Sequence, residues 1–295
     1  MNKKPNISIV TISYNSSKTI RDTIDSVLCQ DYDNIEYIII DGKSTDDTIE
    51  IVKSYGDKIS YFISEEDDGL YDAMNKGIRA ATGDVVGIIN SDDFYYTDHV
   101  VSDVAEVFIF NDVDSVYGDL LYVDTVDADS IRRYWKSGNF NIKKMRKGWT
   151  IPHPTFFVKK EIYNKFGLYS IRLKNASDYE MALRLLCKNK ISVIYLPKIM
   201  VKMRIGGISN YSIWNRLRAN NEDYISWKMN GFYPPLFIRI SEEIEKTGTF
   251  KYKKVDLATE GFDPDKISDQ LYFASSEDAK YVNLDQNLQS EEDIT

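Results

Sequence analysis

Short apolar runs alternate with helically spaced apolar positions through the first ninety residues. Asn6–Tyr14 is rich in β-branched residues and reads as a strand. Asn15, Ser16 and Ser17 follow as helix N-cap candidates, and Ile20, Ile24, Val27 and Leu28 then recur at helical spacing. Ile35–Asp41 is a second strand. Ser44 or Thr45 then caps a helix running through Ile49 and Val52. Ile59–Ser64 is a third strand, and the acidic loop Glu65–Gly69 leads into a helix with Leu70, Met74, Gly77, Ile78 and Ala81 on one stripe. Gly83 ends that helix, and Val85, Val86, Ile88 and Ile89 form a run suited to a strand buried on both faces. The order βαβαβαβ predicts an α/β fold: a mostly parallel, Rossmann-like central sheet with helices on both faces.

The regularity fades in the second half. A helix around Asp98–Phe110 and a strand Asp114–Asp119 are followed by Ile131–Gly148, which carries seven Lys or Arg and no acid. That stretch is either a solvated basic loop or, with Trp135, Phe140, Met145 and Trp149 interleaved, a surface for phosphate groups or anionic lipid. Nucleic acid is disfavoured, because no binding motif accompanies the patch. Ile151–Lys159 reads as a strand, Glu161–Phe166 as a short helix, and Asn175–Cys187 as a helix with Ser177 or Asp178 at its start. Ile191–Leu196 is a strand closed by Pro197. Arg204–Ser209 is a flexible turn, and Ser212–Met229 is a helical C-terminal region mixing Trp214 and Trp227 with Arg216 and Arg218.

Composition narrows the class. The chain has 295 residues and 43% hydrophobic content, ample for a core. No apolar run approaches the ~18 residues of a membrane-spanning helix, and the N-terminus lacks a signal peptide's apolar region, so a cytoplasmic address is expected. Cys29 and Cys187 lie in helical patterns and read as small core residues. With only two histidines, a histidine-rich zinc site is disfavoured. The net charge of −9 arises entirely beyond Val255, where 11 Asp or Glu face 2 Lys or Arg. Those last residues read as a solvated extension, with a docked segment expected near Gln270–Phe273.

The candidate chemistry begins at the tip of the fourth strand. In open α/β sheets, ligands bind outside the carboxyl ends of the strands. Asp92 and Asp93 sit there as adjacent, mutually repelling carboxylates. A hard divalent cation holding a diphosphate would account for the pair, and so would a solvated turn or a cap on the next helix.

Four segments in order carry a resemblance: V-T-I-S-Y-N, I-I-I-D-G-K-S-T-D-D-T, G-L-Y-D-A-M-N-K-G-I-R-A-A-T-G-D and I-I-N-S-D-D. Together they resemble family-2 glycosyltransferases of the GT-A fold, over about residues 6 to 230, and the subgroup building bacterial surface polysaccharides in particular. The resemblance implies a donor half at 1–115, an acceptor half at 116–235 and an extension at 236–295. It implies that Thr11, Tyr14, Asn15 and Asp41 contact the nucleoside, that Ser91 and Asp92 lie by the ribose and donor sugar, and that Asp93 holds Mg2+ or Mn2+. Asp178 falls where the family places its general base, with Ser177 replacing the acid usually before it. His153 and Arg184 fall near the acceptor or diphosphate. The implied activity is inverting transfer of a hexosyl or N-acetylhexosaminyl group from a nucleoside-diphosphate sugar, by family habit UDP-linked. The implied acceptor is a hydroxyl of a glycan or lipid-linked molecule; the basic stretch Ile131–Trp149 and the helix near Trp214–Trp227 would together form the face that meets it, from the cytoplasm, at an anionic membrane surface. Two rivals remain: a nucleotidyltransferase of the same fold, against which Tyr14–Lys18 lacks a Gly- and Lys-rich phosphate loop, and a non-catalytic sugar-nucleotide-binding protein. A dehydrogenase is disfavoured because no G-x-G-x-x-G follows the first strand.

Overall fold

In the computed structural model, residues 4–146, 149–205 and 222–234 are described, together with the backbone of 237–239, 271–274 and 281–283. The strands β1 (Ile7–Ser13), β2 (Ile35–Asp41), β3 (Tyr61–Ser64) and β4 (Val85–Asn90) are all parallel, in the order β3-β2-β1-β4. Helices α1 (Ile20–Leu28), α2 (Thr48–Lys53) and α3 (Leu70–Ala80) make the crossovers. Alternate side chains of each strand enter opposite layers. Ile7, Ile9, Tyr37 and Ile39 pack with Ile20, Ile24 and Val52, while Val10, Ile12, Ile38 and Ile40 pack with Met74 and Ile78. Gly77 is what lets α3 lie this close to β1: a Cβ there would collide with Val10 Cγ1.

Beyond β4 the sheet becomes mixed. A two-residue strand β5 (Phe94–Tyr95) and helix α4 (Val100–Phe110) precede β6 (Ser115–Val123), β7 (Ile131–Trp135), helix α5 (Ile142–Met145), β8 (Phe157–Lys159), α6 (Lys160–Phe166) and α7 (Ser177–Ala182). α7 continues as a π-helical turn, Leu183–Lys188, and β9 runs from Val193 to Arg204. The order continues β4-β8-β6-β9-β5, with β8 antiparallel to both neighbours and β7 an antiparallel partner of β6.

Three local expectations give way here. The basic stretch is no loop: its first five residues are β7, Trp135 stacks on Tyr122, and the Trp149 indole donates to the Ser137 carbonyl. Trp135, Met145 and Trp149 are buried, so these large side chains belong to the core rather than to an interaction face. Pro197 does not close its strand either. β9 pairs with β6 on both sides of it, and the register shifts between Tyr117 and Leu120, so the missing N–H falls at a bulge. Finally, Ser16, Ser17, Ser44 and Thr45 cap nothing. The N-cap positions of α1 and α2 are Thr19 and Asp47, and the four earlier residues lace loops together instead.

Of the two cysteines, Cys187 is buried with its thiol pushed up to about 11 by desolvation, whereas Cys29 is exposed at the end of α1. The helical C-terminal region is described only at 222–229, which is helical; Trp214, Arg216 and Arg218 lie outside the described residues. In the extension, Phe237–Arg239, Leu271–Ala274 and Tyr281–Asn283 form a separate antiparallel three-stranded sheet. Among the described residues, no helix is long and apolar enough to cross a membrane.

Candidate active site

The parallel register sets the C-terminal tips of β1, β2, β3 and β4 side by side: Ser13 pairs with Asp41, Asp41 with Ser64, and Ile12 with Asn90. The loops leaving these tips are tied to one another. Asn15, in the left-handed region at φ 49°, accepts from the Thr45 N–H at 2.8 Å, and its own N–H donates to Ser44 Oγ. The Ser16 N–H donates to Thr48 Oγ1, its hydroxyl meets Ser91 Oγ at 2.7 Å, and the Ser17 N–H donates to Asp46. Burial would raise the Asp46 carboxyl, but hydrogen bonds from Thr48 and Ser17 bring it down to about 2, so this knot stays charged.

The expected donor residues take two kinds of position. Tyr14 and Asn15 are exposed at the rim. Thr11 and Asp41 are fully buried. The Thr11 hydroxyl meets Tyr37 Oη at 3.0 Å inside the layer beneath α1, which points it away from the strand tips. Asp41 accepts from Ser13, from the Ser44 N–H and hydroxyl, and from Ser64, and so holds three strand tips together. Its four acceptor positions are already used within the chain.

The β4 tip differs. Asp93 is 1% exposed; one carboxylate oxygen accepts from Asn90 Nδ2 at 3.1 Å, and the other has no hydrogen-bond partner of good geometry among the described residues. Asn90 Oδ1 is likewise buried without a partner. Desolvation and repulsion from Asp92 hold the Asp93 carboxyl well above the usual range, and desolvation also raises Asp92, against the opposing charge of Arg204. β5 follows at once, so Asp92 is not a helix cap. Arg204, at the end of β9, donates to the Asp92 carbonyl at 2.8 Å, pairs with Asp22 and lies over the Phe94 ring. Among the described residues, no three His, Cys, Asp or Glu side chains converge. The donor set still fits a hard cation: two buried orphan oxygens and an adjacent carboxylate are suited to Mg2+ or Mn2+, whose other positions phosphates and water fill.

Asp178 lies in the first turn of α7. It is not the cap, since Ala176 holds that position. Tyr71, in the first turn of α3, donates its hydroxyl to Asp178 Oδ1 at 3.2 Å. Desolvation and then the Asp178 charge push the Tyr71 phenol well above its usual value, so it remains a donor. α3 follows β3, so its first turn, with Tyr71, begins at the same end of the sheet as the strand tips. Asn75 exchanges two 2.9 Å hydrogen bonds with the Tyr169 backbone, Tyr169 stacks on Tyr71, and His153 meets Tyr169 edge-on at 5.9 Å. His153 thus borders the Asp178 neighbourhood. Arg184 does not. Its guanidinium is consumed by the Glu180 carboxylate and the carbonyls of Phe166, Gly167 and Leu168, which makes it a clamp between α7 and the end of α6 rather than an anion ligand. Asp119, an alternative base, accepts from Tyr134, Tyr195 and the Ser137 N–H and is similarly occupied.

Sequence reasoning missed Asn90, Tyr71 and Arg204. The first two sit inside segments that carried the resemblance, whereas nothing local marks Arg204.

Comparison with known proteins bears on this geometry. Residues 8–166 match the family model for glycosyl transferase family 2. An uncharacterized glycosyltransferase of Mycobacterium tuberculosis is 32% identical over 186 residues, 62% of this chain and 70% of that protein. A PGL/p-HBAD biosynthesis glycosyltransferase of Mycobacterium bovis is 26% identical over 210 residues, 70% of this chain and 80% of that protein. Among solved structures, S. aureus TarS 1-349 in complex with UDP-GlcNAc aligns with TM-score 0.59 at 20% identity, over 76% of this chain and 65% of that one. The chain spans only 39% of the longer TarS structure. The Pyrobaculum calidifontis mannosyltransferase PcManGT, in complex with GDP-Man and Mn2+, aligns with TM-score 0.59 at 18% identity, over 79% of this chain and 67% of that one. These structural matches make the fold GT-A.

Proposed function

Since the chain belongs to glycosyl transferase family 2, we propose that it is an inverting, metal-dependent enzyme moving a hexosyl or N-acetylhexosaminyl group. The donor is a nucleoside-diphosphate sugar, UDP-linked in this reading, and the acceptor is a hydroxyl of a glycan or lipid-linked molecule in bacterial polysaccharide synthesis. The observation that carries the reading is the β4 tip, where Asp93 and Asn90 each leave a buried oxygen without a hydrogen-bond partner among the described residues, beside Asp92. The TarS complex with UDP-GlcNAc and the PcManGT complex with GDP-Man and Mn2+ support a sugar-nucleotide donor and a divalent cation.

Asp93, with Asp92 and Asn90, would hold Mg2+ or Mn2+, which neutralises charge developing on a departing diphosphate. Tyr14 and Asn15 bind the nucleoside from the rim, and Asp41 acts on it by fixing the loop between them and Ser44. Ser91 and Asp92 face the ribose and sugar. Asp178, held by Tyr71, takes the proton of the attacking hydroxyl as general base. A single base with in-line attack gives inversion at the anomeric carbon. His153 belongs to the acceptor side.

A melting-temperature screen of UDP, GDP, dTDP and CMP, each with and without Mn2+, tests this. A ligand that binds only the folded state stabilises it by about 2.7 kcal/mol at 100 times its Kd. UDP with Mn2+ is expected to raise the melting temperature most, and the reading fails if no nucleotide shifts it. Nucleoside-diphosphate release from UDP-GlcNAc then separates an enzyme from a binding protein, which releases none.

The reading places the protein at the cytoplasmic face of an anionic membrane. With Trp135 and Trp149 buried, the exposed basic side chains of this stretch include Lys136, Lys143 and Lys144, and Ile131, Tyr134 and Ile142 are exposed with them. Among the described residues, none of these three lysines makes a salt bridge. At about 1 kcal/mol per charge near an anionic surface, replacing all three by Ser should release most of the protein from phosphatidylserine liposomes at low salt. Cosedimentation unchanged by the triple substitution would count against the surface.

A further inference from the structure

The loop that delivers Asp178 to its place is held from the C-terminal side of the chain. α7 begins without a side-chain cap of its own, since Ala176 occupies the N-cap position. The first N–H groups of a helix need partners from elsewhere. Here one carboxylate takes the N-cap N–H, that of Ala176, together with the two N–H groups of the loop before it. Glu222, in the helical stretch 222–229, accepts from the Lys174 N–H at 3.1 Å, the Asn175 N–H at 2.7 Å and the Ala176 N–H at 3.0 Å. The Asn175 side-chain amide adds a fourth bond at 3.3 Å. Charge-assisted bonds of this kind are the strong ones, and three consecutive N–H groups aimed at one carboxylate leave the loop little freedom.

The same helix and the residue that follows it each grip α7 once more. The Trp227 indole, 1% exposed, donates to Tyr179 Oη at 3.0 Å, and Asn230 Nδ2 donates to Glu180 Oε1 at 3.1 Å. On the other side, the Lys174 ammonium donates to the Asp68 carbonyl at 3.0 Å, and Tyr71 holds Asp178 itself. Asp178 therefore sits two residues past a backbone segment fixed by Glu222, between the helix 222–229 and α3. None of the atoms that Glu222 contacts belongs to the strand tips where a donor would bind.

We infer that Glu222 is a positioning residue for Asp178: it sets the reactive geometry of the proposed base without contributing to donor binding. The inference rests on the reading of Asp178 as the base. It predicts a split between turnover and donor affinity, because misplacing a reacting group by about 1 Å costs on the order of 10²-fold in rate.

The experiment measures UDP release from UDP-GlcNAc with Mn2+ for the full chain carrying Glu222→Ala, Glu222→Gln or Asp178→Asn. In Glu222→Ala, kcat should fall about 10- to 100-fold while the KM for UDP-GlcNAc and the UDP-induced melting shift stay within about twofold of the parent. Glu222→Gln keeps one oxygen acceptor and should recover part of kcat at the same KM. If Glu222→Ala does not fold, Glu222→Gln alone carries the comparison. The inference is overturned by a parent-like kcat in Glu222→Gln and Glu222→Ala, or by a KM that rises as kcat falls, which would mean a general loss of structure. Parent-like UDP release by Asp178→Asn overturns the base assignment, and the positioning role with it. Because that variant is measured separately, the two failures are distinguishable.

Discussion

Replacing Asp93 by Asn is expected to abolish metal-dependent nucleotide binding and nearly all transfer. The substitution is close to isosteric and leaves the contact with Asn90 available, so the fold should survive. What it removes is a buried anionic oxygen that has no hydrogen-bond partner of good geometry among the described residues. The same change should also reveal what that carboxylate costs the protein. A carboxyl whose folded pKa lies above 3.8 binds more protons folded than unfolded, so its contribution to stability declines as pH rises above 3.8. A bound cation reverses this, because its ligands must be deprotonated. The rise in melting temperature produced by Mn2+ with UDP should therefore be larger at about pH 8 than at about pH 5 in the parent, and absent at both in Asp93→Asn. A normal Mn2+-dependent affinity for UDP in the variant would remove Asp93 from the cation site.

Asp178→Asn should lower transfer by roughly the 10²- to 10⁴-fold typical of a lost general base, with donor binding intact. An amide can still accept from Tyr71, so the local hydrogen bond is preserved while the proton acceptor is lost. Glu180 and Asp119 offer little rescue, because the first is paired with Arg184 and the second already accepts from two phenols. UDP release at the parent rate would reduce Asp178 to a structural residue of the first turn of α7.

The parts of the fold that were legible in the chain are those with local causes. β2 occupies Ile35–Asp41 as expected, and β4 adds only Asn90 to the anticipated apolar run, because a strand buried on both faces is apolar throughout. Partners distant in sequence decided the rest. β7 is a strand because β6 offers it an edge, and β9 continues past Pro197 because β6 continues beside it. The site divides in the same way. Asp92 and Asp93 follow from where a buried strand ends. Thr11 was expected at a strand tip, but the alternation along β1 turns it toward Tyr37. A charge says nothing by itself about its use: Arg184 resembles an anion ligand until its carbonyl partners are seen, and Arg204 passed as part of a turn until β9 brought it to Asp92.

The strand order also bears on how copies of the chain meet. The main sheet ends at β3, of four residues, and at β5, of two, while β7 leaves one further side open. Long, flat, unpaired edges recruit strands from other molecules and seed fibrous association. Here β3 and β5 are short, β5 covers only Val201 and Lys202 of β9, and the rest of β9 is interrupted by Pro197 and a register shift. The interruption at Pro197 denies a second copy a continuous edge along the longest strand of the nine-stranded sheet.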